Sequence, residues 1–339
     1  MQVIVLNREE VKSVLEMGKV ADGVRNVYRM KAQGKTGVWP LVSHDFTELN
    51  AVMDIRSGFV GGEFGLHGLK MLNSFPLNRN IGLPPFNGML MLFDSKTGIP
   101  LGVMDASYIT CMRTGAASAI GASTLSRPDS KKLMILGAGK QSAYQLAAAV
   151  LLMPNIEEVR IADPLDAENA ARFASAMPER LVEEFGIKDR GYVKFSAAPD
   201  LPAAVNASDI VITITPSRAP VIMKEWVKPG THFSCIGADM EGKEEIDPEI
   251  FRGARIFADD KPQCMRVGEM EIPIKKGVIG PDDVAGELGE VLDGRLEGRR
   301  NADETTIFDA TGLALLDIVT AKAALDGANA RKIGTFVEM

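Results

Sequence analysis

The sequence predicts an α/β protein of two domains, the second built on a parallel β-sheet. Three observations carry that expectation: chain length, a change of hydrophobic pattern, and one glycine-rich turn. At 339 residues the chain exceeds the roughly 250–300 at which a single core stops growing, so two domains are expected. From residue 132 onward the apolar segments KLMILG, VRIAD, YVKFS, DIVITIT, HFSCIG and ARIFADD alternate with helical stretches. That rhythm is the one of a parallel sheet with right-handed crossovers. Ahead of it, residues 51–104 fall into short pieces (LKMLNSF, GMLMLFD, GIPLGVM) parted by Gly, Pro and Asn. They predict an antiparallel or mixed sheet, with the DSKTG turn closing a hairpin.

The remaining elements follow from periodicity and punctuation. Val11, Val14, Leu15, Val24, Val27 and Tyr28 recur at helical spacing, which predicts one amphipathic helix over 9–33, weakened at Gly18. Residues 105–125 are rich in small side chains and predict a closely packed helix with Asp105 as its N-cap, ended by the polar SRPDSKK and its Pro128. Leu313–Leu325 reads as an apolar helix that returns to the first domain. The expected domains are 1–118, joined by a C-terminal helix 313–339, and 119–312.

Composition removes several classes of function. With 46% hydrophobic and 24% charged residues the chain is of the ordinary globular kind, and it has no apolar run long enough to span a bilayer. A net charge of -7, a pI near 5.2 and the lack of a dense Lys/Arg cluster give nucleic acid nothing to bind. The start, MQVIVLNREE, turns polar before a long apolar core develops, which predicts a strand rather than a signal peptide and a cytoplasmic location. Cys111, Cys235 and Cys264 are scattered and odd in number, so they are expected to be buried small hydrophobes rather than a disulfide framework or a metal site. No metal is expected.

The cofactor motif begins where strand KLMIL runs into Gly137-Ala138-Gly139-Lys140-Gln141-Ser142 and then into the helical AYQLAAAVLLM. This strand, turn and helix are the context that a G-x-G-x-x-G/A fingerprint requires. Gly137 permits the tight turn, Gly139 lets backbone approach a pyrophosphate, and the small Ser142 allows close helix packing. Lys140 and Gln141 open a helix whose N-terminus faces the anion. Strand VRIAD ends at Asp163, about 20 residues on, where a carboxylate accepts from ribose hydroxyls and repels a 2′-phosphate. The second domain is therefore expected to be a Rossmann domain that binds NAD in preference to NADP. S-adenosylmethionine-binding relatives of the fold share part of this logic.

A Rossmann domain leaves the chemistry to other residues. The chain has no G-x-S-x-G, H-E-x-x-H or P-loop motif, which leaves redox chemistry. Over nearly its whole length the sequence resembles the ornithine cyclodeaminase/mu-crystallin family, which includes an archaeal-type alanine dehydrogenase and ketimine reductases. The carriers are HGLKMLNSFPLN (67–78), GLPPFNGMLMLFDSKTGIPLGVMDASYITCMRTGAASAIGA (82–122), GAGKQS, CIGADMEGKEEID (235–247) and GELGEVLDGRLEGRRNADETTIFDATGLAL (286–315).

The resemblance implies a mixed α/β substrate-binding and dimerisation domain beside the Rossmann domain, and a homodimer. It places the catalytic lysine on Lys70, the carboxylate-binding arginine on Arg113 and the catalytic aspartate on Asp239. Thr215, Lys243, Ala310 and Thr311 become neighbours of the cofactor. An ammonium beside a cofactor ring polarises an imine or moves a proton, a guanidinium grips a carboxylate bidentately, and an Asp at a strand's carboxyl end exchanges the amine proton.

The family's cyclodeaminases carry a second carboxylate-binding Arg and a Glu near the lysine. Here that segment, GVWPLVSHDFTELNAVMDIRSGFVGGEF, has no clear match, which leaves His44, Arg56 and His67 as candidate replacements. The expected activity is hydride transfer between NAD(H) and the α-carbon of a small L-amino acid or its 2-imino acid. Ornithine cyclodeamination with recycled NAD is the alternative, and a crystallin-like binding protein without turnover is another.

Overall fold

The computed structural model describes residues 2–188 and 191–339. The chain begins with β1 (Gln2–Leu6), α1 (Arg8–Val14), α2 (Met17–Ala32), β2 (Thr36–Val38), β3 (Val42–Phe46), β4 (Ala51–Val60), β5 (Leu66–Ser74), β6 (Phe86–Asp94), β7 (Pro100–Asp105) and α3 (Ala106–Leu125). It continues through β8 (Lys132–Leu136), α4 (Lys140–Leu152), β9 (Glu158–Ala162), α5 (Ala167–Glu183), β10 (Lys194–Ala197), α6 (Leu201–Ala207), β11 (Ile210–Thr213), β12 (Arg218–Ile222), β13 (His232–Cys235) and β14 (Glu244–Ile246). The last part holds β15 (Arg255–Ala258), α7 (Lys261–Val267), α8 (Glu271–Lys275), β16 (Val284–Glu287), α9 (Leu288–Leu292), β17 (Thr306–Asp309), α10 (Ala314–Arg331) and β18 (Thr335–Glu338).

Contacts divide the chain into two compact units. One runs up to Arg113 and takes back Leu313–Met339; the other is Thr114–Gly312. The division falls inside α3, five residues before the boundary read from the sequence.

Among the described residues, the first unit has one mixed sheet in the order β18-β1-β7-β6-β5-β4-β2, with β3 also paired to β4. Only the β1/β7 pair in it is parallel. The DSKTG hairpin is as expected: Asp94 Oδ1 accepts from the amides of Lys96 and Thr97, and Gly98 takes φ 72°. Asp105 caps α3 by accepting from the amides of Ser107 and Tyr108.

Two expectations for this unit are corrected. The single helix over 9–33 is two helices, because Leu15 and Glu16 take extended backbone and start a new helix at Met17; Gly18 lies inside α2 without breaking it. The tail is not helical to its end. Lys332 takes the left-handed conformation at φ 54°, and the chain then pairs β18 antiparallel to β1.

α10 lies on the β4/β5 hairpin, and two glycines in register allow it. Gly58 and Gly68 face each other across the strands; a Cβ on Gly58 would stand 2.5 Å from the Gly37 carbonyl oxygen and 3.3 Å from Leu315 of the helix, and one on Gly68 2.6 Å from the Met91 carbonyl oxygen and 3.4 Å from Ile318. With no side chains there, the helix axis approaches the sheet closely. The same face of the sheet, two residues further along, carries Arg56 opposite Lys70.

The second unit holds the predicted Rossmann architecture. Its sheet, among the described residues, is parallel throughout in the order β10-β9-β8-β11-β13-β17-β15-β16. The sequence reading missed β16 and β17, whose short VAGE and TIFD segments sit between loop-like stretches. Met134, Leu136, Val211, Phe233, Ile256 and Ile307 are fully buried in its core. The strand order reverses between β8 and β11, so the switch point of an open α/β sheet lies at the carboxyl ends of these two strands.

Candidate active site

The second unit supplies a cradle for a dinucleotide at that switch point. Gly137, at φ 111°, turns the chain out of β8; a Cβ there would meet the Ile214 carbonyl oxygen at 2.8 Å. Its N–H donates to the Ala162 carbonyl, and its own carbonyl accepts from the Ser142 hydroxyl at 2.8 Å. Ser142 thus ties the turn together as well as being small. Gly139 is different: it is the N-cap of α4, caps it with no side chain, and has open space where a Cβ would point.

The first amides of a 13-residue helix, those of Lys140 and Gln141, and the helix dipole face that space. These features fit the pyrophosphate of a dinucleotide. Asp163 follows β9 and accepts from the amides of Leu165 and Asp166 and from Asn169 Nδ2, which also donates to the Ala138 carbonyl. The carboxylate therefore organises its own loop and links it to the glycine turn. It remains half-buried, with lone pairs for ribose hydroxyls.

Thr215, Asp239, Lys243 and Thr311 lie in the loops that follow the sheet's strands. Lys243 Nζ stands 2.6 Å from Asp239 Oδ1 and donates to the Gly237 carbonyl at 3.2 Å. Thr311 Oγ1 accepts from Gln263 Nε2 at 2.7 Å.

Beneath these loops is a group of buried acids that sequence reasoning missed. Glu245 accepts from the Thr215 amide at 2.6 Å and its hydroxyl at 2.8 Å, and from the Gly237 amide at 3.0 Å. Glu269 in turn accepts from the amides of Glu245 and Ile246. Burial pushes Glu245 up to about 7 and Glu269 well above the usual carboxylate range, and the repulsion between them adds to it in Glu269. A proton kept on Glu269, whose Oε2 meets no hydrogen-bond partner among the described residues, avoids two buried negative charges side by side. The GKEEID segment gave no sign that Glu245 is the buried member that staples the loops after β11 and β13.

In the first unit, Lys70 and Arg113 converge on Asp317 of α10. Lys70 Nζ is 2.8 Å from Asp317 Oδ2, and Arg113 Nε donates to Asp317 Oδ1 at 3.1 Å. Side-chain exposure is 2% for Lys70, 1% for Asp317 and 9% for Arg113, so all three charges are withdrawn from water. Lys70 also donates to Thr110 Oγ1 at 3.4 Å. Among the described residues the Nη1 and Nη2 groups of Arg113 meet no acceptor, which leaves the fork of the guanidinium unpaired by protein.

Burial is the largest influence on Lys70 and brings its ammonium down to about 8, against the pull of Asp317; Arg113 and Arg56 push it down further. Asp317 stays below the usual carboxylate range because Lys70, Arg113 and Arg56 outweigh the cost of burying it.

Of the three candidate replacements, Arg56 stands in this group, directly opposite Lys70 in the β4/β5 register. His67 is an odd number of residues from Lys70, so it points to the other face, where it stacks on Phe93 at 5.1 Å. His44 is exposed on β3 and packs edge-on against Phe46. Asp317 was not foreseen at all.

Among the described residues no group of His, Cys, Asp and Glu could hold a metal, and no helix is long and apolar enough to cross a membrane.

A parallel sheet with a glycine cradle at its switch point, in a chain whose other unit buries a lysine and an arginine on one carboxylate, defines a dinucleotide-binding α/β protein. The chain belongs to the ornithine cyclodeaminase/mu-crystallin family, whose profile matches residues 1–332. An alanine dehydrogenase of Archaeoglobus fulgidus is 37% identical over 338 residues, covering 100% of this chain and 99% of its own. An archaeal alanine dehydrogenase dimer with bound NAD has the same fold at TM-score 0.90 and 36% identity, over 100% of both chains. The Δ1-pyrroline-2-carboxylate reductase of Thermococcus litoralis, in complex with NADH and L-proline, matches at TM-score 0.89 and 31% identity, over 98% of this chain and 99% of its own.

Proposed function

We propose that this chain transfers a hydride between NAD(H) and the α-carbon of a small L-amino acid or its 2-imino acid. The observation that carries the reading is Arg113: its Nε is anchored on buried Asp317 while its fork is left for another carboxylate, with Lys70 at hand. Alanine and proline chemistry in similar family members supports it.

In the oxidative direction the amino acid loses a hydride from its α-carbon and a proton from its nitrogen, leaving a 2-imino acid. NAD, when bound, takes up the hydride at C4 of its nicotinamide. Arg113 and Arg56 hold the substrate carboxylate, and Lys70 donates to it and to the reacting centre. Asp239, with one oxygen held by Lys243, takes the amine proton through the other. Gly137, Gly139 and the amides of Lys140 and Gln141 seat the pyrophosphate. Asp163 favours NAD over NADP by charge. Glu245 keeps Thr215 in place beside the cofactor, and Thr311 lines the same side.

Purified protein given L-alanine and NAD is expected to build up NADH absorbance, and to consume it with pyruvate and ammonia. Ammonia release from ornithine with catalytic NAD and no net NADH would replace this reading with cyclodeamination. NAD binding with no turnover of any amino or imino acid would make it a binding protein.

The homodimer is assigned to the sheet face of the first unit opposite α10. Met71 and Met89 are paired neighbours there, 37% and 58% exposed, beside Phe59 and Val42. These exposed apolar side chains call for a partner, and the archaeal relative, a dimer with bound NAD, supports a second copy. Met71→Asp with Met89→Asp is expected to convert a dimer into a monomer by light scattering after size exclusion. A dimer that survives both changes would place the interface elsewhere.

A further inference from the structure

Asp317 lies outside the sequence motifs, and the reading above uses it only as the anchor of Arg113 Nε. It is the carboxylate on which the two cations of the first-unit site meet, and its two oxygens do different work. Oδ2 faces the Lys70 ammonium and Oδ1 takes the Arg113 Nε–H. Fixing Nε sets the plane of the guanidinium, and with it the direction of the fork.

The groups that face Lys70 are known from every element packed on it. α10 brings Asp317, α3 brings Arg113 and the Thr110 hydroxyl, β4 brings Arg56, and β6 brings apolar Leu90. Three cations are thus gathered around Asp317, and Arg56 also stands 4.0 Å from Asp54 Oδ2 on the same face of the sheet. Only Asp317 favours the charged lysine, while burial and both arginines oppose it.

The geometry points to Asp317 as a positioning residue that aims Arg113 and sets the pH range over which Lys70 carries its proton. This rests on the hydride-transfer reading for its kinetic consequence, though not for the titration itself. Lys70 needs its proton to polarise the imine in the reductive direction. Activity is therefore present below the lysine midpoint and is lost as pH rises through about 8. Removing the negative charge of Asp317 lowers that midpoint, and removing the positive charge of Arg56 raises it. The α10 approach over Gly58 and Gly68 is what brings the acid within reach.

The test compares the wild type, Asp317→Asn and Arg56→Gln in reduction of pyruvate with ammonia from pH 6 to 10. Ammonia titrates identically in all three and cancels in the comparison. The falling limb of kcat/KM is expected to move down by about 1–3 pH units in Asp317→Asn and up in Arg56→Gln. The KM for pyruvate should rise about tenfold in Asp317→Asn as Arg113 loses its anchor, by analogy with an ion pair worth one decade. A merely structural role would lower activity by one factor at all pH values and leave the limb in place, which overturns the proposal.

If Asp317→Asn does not fold, Arg56→Gln and the charge-retaining Asp317→Glu carry the test. The limb should rise in the first and stay in the second, and a limb fixed in Arg56→Gln overturns the proposal. Direct titration of Lys70 in protein with 13C-labelled lysine, assigned through Lys70→Met, separates the two readings. Midpoints that shift as stated without any turnover reject the activity and keep the role of Asp317. Turnover with unmoved midpoints does the reverse.

Discussion

Lys70→Met is expected to lower kcat by about 10²–10⁴, the range for loss of a positioned proton-transfer group, with NAD affinity unchanged. Methionine fills nearly the same volume, so the site neither collapses nor gains a cavity. Asp317 keeps Arg113 as its partner, which spares the variant an unpaired buried acid. The check is a steady-state kcat for alanine oxidation together with NAD titration by fluorescence. The cradle lies in the other unit, so loss of both properties would mean general unfolding. A kcat within about threefold of the wild type would remove Lys70 from the chemistry, and the proposed mechanism with it.

Gly139→Val is expected to leave the fold intact and to weaken NAD binding by about 10²-fold, or about 2.7 kcal/mol. Its backbone, at φ -86° and ψ -174°, is extended, and no atom lies within 4 Å of the position a Cβ takes. A valine therefore meets nothing until the pyrophosphate arrives. Gly137 offers no such clean test, because its φ of 111° and the nearby Ile214 carbonyl make any side chain there a strain on the fold itself. Melting temperature and NAD dissociation constant measured on the same sample decide the matter. An unchanged dissociation constant would place the pyrophosphate elsewhere.

Much of the second unit was legible because its signals are local. A strand, a turn and a helix within about 20 residues determine Gly137, Gly139 and the N-terminus of α4, and alternating apolar runs disclose most of the parallel sheet. The short β16 and β17 escaped because four residues are too few to show a period, and β17 is buried on both faces as well. The break at Leu15 escaped for a related reason: its apolar side chain continues the helical spacing while its backbone does not.

The first unit was less legible where its site is concerned. Lys70 and Arg113 came from motifs, but each motif is silent about what stands opposite. Arg56 was one candidate among three until the β4/β5 register put it beside Lys70 and sent His67 to the other face.

By itself the sequence determined a Rossmann unit that binds NAD, since this follows from spacing over a few turns of chain, while the family resemblance nominated Lys70, Arg113 and Asp239 as candidate site residues. Tertiary structure alone decided how those residues are held. Arg113 and Asp317 are 204 residues apart, and they meet because Gly58 and Gly68 leave room for α10 against the sheet. Glu245, likewise, is one acid among many in the sequence and becomes a loop staple only when β11 and β13 run side by side. A buried charge is defined by what surrounds it, and in both cases that surrounding is assembled from distant parts of the chain.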